Sequence, residues 1–309
     1  MFAKAALEQM PQNLQQLSRI LQQASAIIVA EYERYQRGGQ FQIERKSDNS
    51  PVTQADLKAH RFISQALAEL TPKLPLLSEE GEHHERHQWQ RFWMLDPLDG
   101  TKEFIDQTGE FTINLSLIKN GESVISAIAV PLMSKLYIVE NSIVEKHQQE
   151  RQLPYRYQWN AQGQIELFQF QHDLNKNDIK QNDLKTDKSL RIAMSRRPER
   201  SSRYQEFLEH LTSQNISYHK VSAGSAYKFC MMIEGEIDLY PRFHPTSEWD
   251  TSAGQGLLQS IGGEVFDLSH RPFRYNQRTS LLNGQFIALR DVRDWTVISG
   301  FVNTLINKR

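Results

Sequence analysis

The sequence predicts a layered α/β (α+β) fold. Three observations carry that reading. Apolar, β-rich runs alternate with stretches of helical period in both halves of the chain. Several of those apolar runs end in acidic residues, as sheet strands do when they deliver polar groups to one edge. With 309 residues, 39% of them hydrophobic, the chain can bury a large core as one big domain or two moderate ones.

Leu14, Leu17, Leu21 and Ile28 recur near helical spacing and predict a first helix with one face on the core. Its polar face is mostly Gln, which argues against a membrane-surface helix. Gly38-Gly39 break it, residues 41–46 alternate like a strand, and "SDNSP" is a loop. Asp56 opens a second helix carrying Leu57, Phe62, Ile63, Leu67 and Leu70. "LPLLSEEG" reads as a short buried strand ending in two acids, and "RFWML" as a strand running into "DPLDGTKEF". The proline and glycine there forbid a plain helix or strand. Residues 112–140 form three strands with turns at Lys119-Asn120-Gly121 and Pro131-Leu132-Met133.

From residue 141 to 188 Gln, Asn, Asp and Lys dominate. Tyr155, Tyr157 and Trp159 alternate before "NAQG", which suggests a surface hairpin; residues 171–188 read as an exposed, partly disordered loop. The domain boundary falls there, giving residues 1–188, with a polar insertion near 144–188, and residues 189–309. After it come a strand in "SLRIAMS", a helix over 200–214, a strand in "ISYHKV", a helix in "AYKFCMMIEG", a strand in "IDLYPRF" and a helix in "DTSAGQGLLQSIGG" closed by Gly262.

Lys and Arg number 36 against 37 Asp and Glu, so no net basic field recommends nucleic acid as a partner. A single cysteine, Cys230, excludes an internal disulfide and reads as a buried small hydrophobe. The N-terminal stretch shows no charged start followed by an apolar core, and its longest apolar run, residues 26–30, is too short to span a membrane.

Glu79, Asp96, Asp99 and Asp250 each follow an apolar stretch. Any one alone reads as a solvated loop end or a cap, and Asp250 before "TSAG" would cap a helix well. Together at one sheet edge they would repel unless cations neutralise them. Oxygen ligands without His or Cys select Mg²⁺ or Mn²⁺ over Zn²⁺. Pro97 constrains Asp96 against Asp99, and Gly100 clears space above them. Gly100 and Thr101 open a helix whose free N–H groups suit a phosphate. The Thr101 hydroxyl can hold a water, and Asp56 can accept that water's proton. Two cations about 4 Å apart would clamp the attacking and leaving oxygens.

"SPVTQAD", "DPLDGTKEF" and "WDTSAGQGLLQSIGG" together resemble the lithium-sensitive, Mg²⁺-dependent phosphatases of the inositol monophosphatase superfamily. "GTKEF" is similar to the 3′(2′),5′-bisphosphate nucleotidase branch, the bacterial CysQ type. The resemblance implies a five-layer αβαβα sugar-phosphatase-like fold. It implies two or more Mg²⁺ ions, with Mn²⁺ as a substitute, held by Glu79, Asp96, the Leu98 carbonyl, Asp99 and Asp250. Asp56 and Thr101, with Glu79, would activate water. Gly100 and Thr101 would hold the scissile phosphate. "AGSAYKF" resembles the branch's Gly-Ser-x-x-Lys segment, so Ser225 and Lys228, with Asp250, would contact substrate. A cytoplasmic location is implied, with peripheral association at the inner membrane as a family trait. The oligomeric state is open between monomer and homodimer.

Of the neighbouring acids, Glu79 rather than Glu80 is expected to face the metals. Lys228, among apolar residues, is either a phosphate contact or a snorkelling surface lysine. Arg196 or Arg197 could grip a second phosphate. Lys46 lies near substrate or on the surface. The histidines of "GEHHERH" offer a transition-metal site only if they converge. Three functions follow: hydrolysis of the 3′-phosphate of adenosine 3′,5′-bisphosphate to AMP, with the 5′-phosphosulfate analogue as a further substrate; hydrolysis of inositol or sugar phosphates; or a silent nucleotide or Mg²⁺ sensor, which would have no need of Asp56 and Thr101.

Overall fold

The computed structural model describes residues 10–39, 43–45, 51–141, 154–159, 165–169, 189–195 and 202–307. Helices α1 (Gln12–Gln36) and α2 (Gln54–Leu70) pack side by side against a seven-stranded sheet. Its strands are β3 (Leu76–Ser78), β4 (Arg91–Asp99), β5 (Thr112–Lys119), β6 (Glu122–Val130), β7 (Lys135–Glu140), β8 (Tyr155–Trp159) and β9 (Ile165–Gln169), in that spatial order. Only β3 and β4 run parallel. A short ribbon of β1 (Ile43–Arg45) and β2 (Pro51–Thr53) precedes α2.

Alternation along each strand explains why both faces of this sheet are covered. Trp93, Leu95, Ile113, Leu115, Ala127 and Ile138 face α1 and α2. Phe92, Met94, Ile128, Val130, Tyr137 and Val139 face the other way, onto a middle layer of α5 (Tyr227–Ile233) and α6 (Ser252–Ser260). Beneath that layer lies a five-stranded sheet of order β11 (Tyr218–Ser222), β10 (Leu190–Met194), β12 (Leu239–Arg242), β14 (Phe286–Leu289) and β13 (Glu264–Asp267). Its outer face carries α4 (Ser202–Ser213) and α7 (Trp295–Asn307). The stack is therefore helix, sheet, helix, sheet, helix, as the resemblance implies. Among the described residues no helix is long and apolar enough to cross a membrane.

Several local expectations change. Asp56 does not open α2: Thr53 caps it, and Asp56 sits at the third helical position of a capping box. β4 continues through "DPLD" despite Pro97, because its pairing with β5 shifts register between Asp96 and Asp99. The hairpin of β8 and β9 is not a surface appendage. It extends the seven-stranded sheet, and Tyr157 is buried against α1 residues. Asp250 does not cap α6; Thr251 occupies the N-cap, and Asp250 closes a 3₁₀ turn, Glu248–Asp250. β13, β14 and α7 lie beyond Gly262, where the sequence reading assigns no element. The loop expected at 171–188 lies outside the described residues.

Candidate active site

Side chains on a flat strand alternate, so Asp96 and Asp99, an odd number apart, would face opposite sides. The register shift corrects this: Asp96 pairs with Asn114 and Asp99 with Thr112, so three steps on β4 match two on β5. Pro97, which has no N–H to offer a ladder, sits within the irregularity. Both carboxylates thereby join that of Asp250, with oxygens of all three within 4.8 Å of one another. β3 runs parallel beside β4, and the Glu79 N–H donates to the Leu95 carbonyl at 3.0 Å. That places the Glu79 side chain in hydrogen-bond contact with Asp96.

Burial raises all three aspartates of the group, and repulsion within the cluster adds to it at Asp96 and Asp250. Asp96 is held well above the usual carboxylate range, first by burial and then by the charges of Glu79, Asp99 and Asp250. Asp250 is raised by burial and by Asp99 and Glu79, although its Oδ2 accepts the Ser247 N–H at 2.8 Å. Asp99 rises to about 6 through burial, restrained by the Lys228 charge, the Ala226 N–H at 2.5 Å and the Asn114 amide at 3.3 Å. Acids crowded so that they resist ionisation, with oxygen donors alone, fit a hard divalent cation. The three aspartates can coordinate one metal ion.

Beside the cluster, the Thr101 hydroxyl lies 3.0 Å from Asp56 Oδ1 and 3.3 Å from the Leu98 carbonyl oxygen. Asp56 Oδ2 accepts the Thr53 N–H at 2.8 Å and the Thr53 hydroxyl at 2.5 Å. Asp56 is only 1% exposed, and burial pushes its carboxyl up to about 6 against those hydrogen bonds. Thr101 begins α3 (Thr101–Ile105), and Gly100 precedes it at φ 91°, a left-handed conformation that glycine adopts without strain. Five residues make a weak dipole, so any phosphate binding here rests on the free N–H groups.

Ser225, at φ 41°, bends residues 223–226 over Asp99. Lys228, on α5, is 3% exposed, which overturns the snorkelling alternative. Its Nζ donates to the Ser225 carbonyl at 2.7 Å and the Ala223 carbonyl at 3.2 Å, and lies 5.0 Å from the Tyr240 ring centroid. Burial, then the nearby Arg242 charge, lowers its pKa to about 8. A cleft of about 420 Å³ opens from Asp99 and Asp250 past Ser225 and Lys228 to Arg242 and His244.

Asp56, Glu79, Asp96, Leu98, Asp99, Gly100, Thr101, Ser225, Lys228 and Asp250 thus meet in one region. Lys102, Ser195, Tyr240, Arg242 and His244 also line the cleft and escaped the sequence reading. The period of β12 carried a signal for two of them, since Tyr240 and Arg242 share one strand face. The histidines of "GEHHERH" form no metal cluster among the described residues. His83 packs against Trp249, and His84 pairs with Glu82 on the surface. Lys46, Arg196 and Arg197 lie outside the described residues.

Residues 11–293 match the model of the inositol monophosphatase family. The chain is 33% identical over 279 residues to the 3′(2′),5′-bisphosphate nucleotidase CysQ of Aggregatibacter actinomycetemcomitans, covering 89% of this chain and 91% of that one. It is 35% identical to CysQ of Escherichia coli K12 over 78% of this chain and 86% of that one. The crystal structure of CysQ from Bacteroides thetaiotaomicron superposes with a TM-score of 0.65 at 30% identity, covering 87% of this chain and 94% of that one. An IMPase from Thermotoga maritima reaches the same TM-score at 18% identity, over 94% and 96% of the two chains, and shares the fold. With nearly the whole chain matched and the acidic residues of its motifs gathered in space, the protein belongs to the inositol monophosphatase family.

Proposed function

We propose that this protein is a Mg²⁺-dependent phosphatase that converts adenosine 3′,5′-bisphosphate to AMP and inorganic phosphate. The 5′-phosphosulfate analogue is a further substrate. The observation that carries the reading is the grouping of the Asp96–Asp99–Asp250 carboxylates, near the Asp56–Thr101 pair, with a cleft lined by Asp99, Asp250 and a buried cation, Lys228. Relatives matched over 78% and 89% of this chain carry the name 3′(2′),5′-bisphosphate nucleotidase.

Glu79, Asp96, the Leu98 carbonyl, Asp99 and Asp250 would hold two or more Mg²⁺ ions, with Mn²⁺ as a substitute. When bound, such ions neutralise phosphate charge and make water more acidic. Thr101 orients the attacking water, and its proton passes by way of the Thr101 hydroxyl to Asp56 Oδ1. The water oxygen forms the new bond to phosphorus, the bond to the 3′-oxygen breaks, and that oxygen leaves with a proton from solvent. The Gly100 and Thr101 N–H groups hold the scissile phosphate. Ser225, Lys228 and Asp250 meet the rest of the nucleotide, with Lys228 supplying charge for the second phosphate. Residues 1–188 carry most of the metal site, and residues 189–309 supply Asp250 and substrate contacts.

The test is phosphate release from adenosine 3′,5′-bisphosphate, inositol monophosphate and fructose bisphosphate with Mg²⁺. The bisphosphate nucleotide should be turned over best, EDTA should abolish the reaction, and lithium should inhibit it. A preference for inositol monophosphate would refute the substrate assignment, and full activity after metal removal would refute the metal site.

A further inference from the structure

Glu79 and Asp250 reach the cluster from segments far apart in the chain, and their negative charges repel. Something must hold the two arms together. Residues 276–283 give no side chain to the acidic triad, yet they are tied to both arms. On one side stands Arg86, buried in the 3₁₀ helix Arg86–Gln88 that follows Glu79. It donates to Asn276 Oδ1 at 2.7 Å, to the Arg278 carbonyl at 3.1 Å and to the Thr279 carbonyl. Asn276 returns a bond from Nδ2 to the Arg86 carbonyl at 2.6 Å.

On the other side stands Glu248, two residues before Asp250 and 0% exposed. It accepts the Asn276 N–H at 2.6 Å and the Arg278 guanidinium at 2.9 Å. Arg278 also donates to Asn283 Oδ1 at 2.8 Å, and Asn283 Nδ2 reaches the Ser247 carbonyl at 2.8 Å. The Asn283 N–H donates to the Thr246 carbonyl at 2.7 Å. Asn276 adopts φ 56°, a left-handed conformation for which Asn is well suited. Because Asp250 Oδ2 is bound to the Ser247 N–H, any shift of that turn moves the carboxylate with it. Glu248, Asn276, Arg278 and Arg86 do not line the cleft.

We propose that Glu248, Asn276, Arg278 and Arg86 are positioning residues whose polar strap holds the Glu79 arm and the Asp250 turn at the separation a divalent cation needs. The strap sets the affinity of the cluster for Mg²⁺ and leaves the turnover of the loaded site alone. The inference rests on the reading of the acidic cluster as a Mg²⁺ site. Glu248 has both oxygens engaged and no solvent to fall back on, so losing its charge releases Arg278 from the strap.

The experiment is calorimetric titration of Mg²⁺ into the full chain without substrate, for wild type, Glu248→Gln and Arg278→Gln. Thermal unfolding in EDTA and kcat at saturating Mg²⁺ accompany it. Outer partners of metal ligands typically change metal affinity by about 10- to 100-fold. A rise of that order in the Mg²⁺ Kd, with kcat restored at saturating Mg²⁺, is the expected result. The Arg278 side chain is 39% exposed, so its variant keeps the test available if Glu248→Gln does not fold. An unchanged Kd with lower stability in EDTA would make the network a brace of the fold and overturn the proposal. So would an unchanged Kd with a lower kcat at saturating Mg²⁺. Wild type that binds no Mg²⁺ would overturn the metal-site reading and the strap with it, whereas wild-type-like binding by both variants overturns the strap alone.

Discussion

Asp99→Asn should make the metal-free protein more stable while removing most of its activity. In the metal-free fold the Asp99 carboxyl has its pKa raised from 3.8 to about 6, with burial as the main cause. An acid with a raised pKa binds its proton more tightly folded than unfolded. Stability therefore falls as pH rises from about 4 through about 6, and above that the full penalty persists. The penalty is about 3 kcal/mol for a rise of this size. Asparagine carries no charge to desolvate. Its side-chain oxygen can still accept the Ala226 N–H and the Asn114 amide where Asp99 Oδ2 now does. Losing the attraction to Lys228 offsets part of the gain, which leaves about 1–3 kcal/mol, or roughly 2–5 °C in Tm. Unfolding followed by circular dichroism in EDTA should show this gain at pH 7.5 and its disappearance near pH 4. Mg²⁺ should stabilise wild type by about 2.7 kcal/mol at a hundred times its Kd and the variant much less. A variant less stable than wild type in EDTA at pH 7.5, or a gain that ignores pH, would refute the account of an overcharged cluster.

Thr101→Val should lower kcat by about 10²- to 10⁴-fold, the usual worth of a positioned proton-transfer group, while Thr101→Ser retains most of it; equal losses would remove the hydroxyl from the mechanism. The Lys228 charge is lost above pH about 8 in the substrate-free protein, so wild-type KM for adenosine 3′,5′-bisphosphate should rise between pH 7 and 9. Lys228→Met should raise that KM by roughly 10- to 150-fold and flatten its pH dependence; equal damage with a monophosphate substrate would mark Lys228 as a brace of the 223–226 turn only. A Cβ on Gly254 would overlap the Phe229 ring of α5. Gly254→Ala should therefore destabilise the protein by about 1–3 kcal/mol in denaturant unfolding, and a neutral result would show that α5 and α6 can separate freely.

Much of the fold was legible because its signals are local. The short apolar run of "RFWML", the strand alternation in "TINLSLIK", the Asn120-Gly121 turn, and the helical spacing of Leu14, Leu17 and Leu21 each depend on a few neighbouring residues. Both residues of that turn adopt positive φ, as a two-residue hairpin requires. The acids of "SEE", "DPLDG" and "EWD" were legible as chemistry for the same reason: each motif states its residues without help from the rest of the chain.

Tertiary structure decided what lies between distant segments. The β4 irregularity, which turns Asp96 and Asp99 to one side, exists only in pairing with β5. Lys228 reads as surface or site from its neighbours, and only the stacking of α5 between two sheets buries it and aims its Nζ at the 223–226 turn. Tyr240 and Arg242 share a face that becomes a cleft wall only because β12 lies beneath that layer. Arg86 and Asn276 stand 190 positions apart, and no pattern along the chain links them. A period of two or 3.6 residues records which way a side chain faces. What it faces depends on how layers far apart in sequence come to rest on one another, and packing against residues elsewhere in the chain settles that.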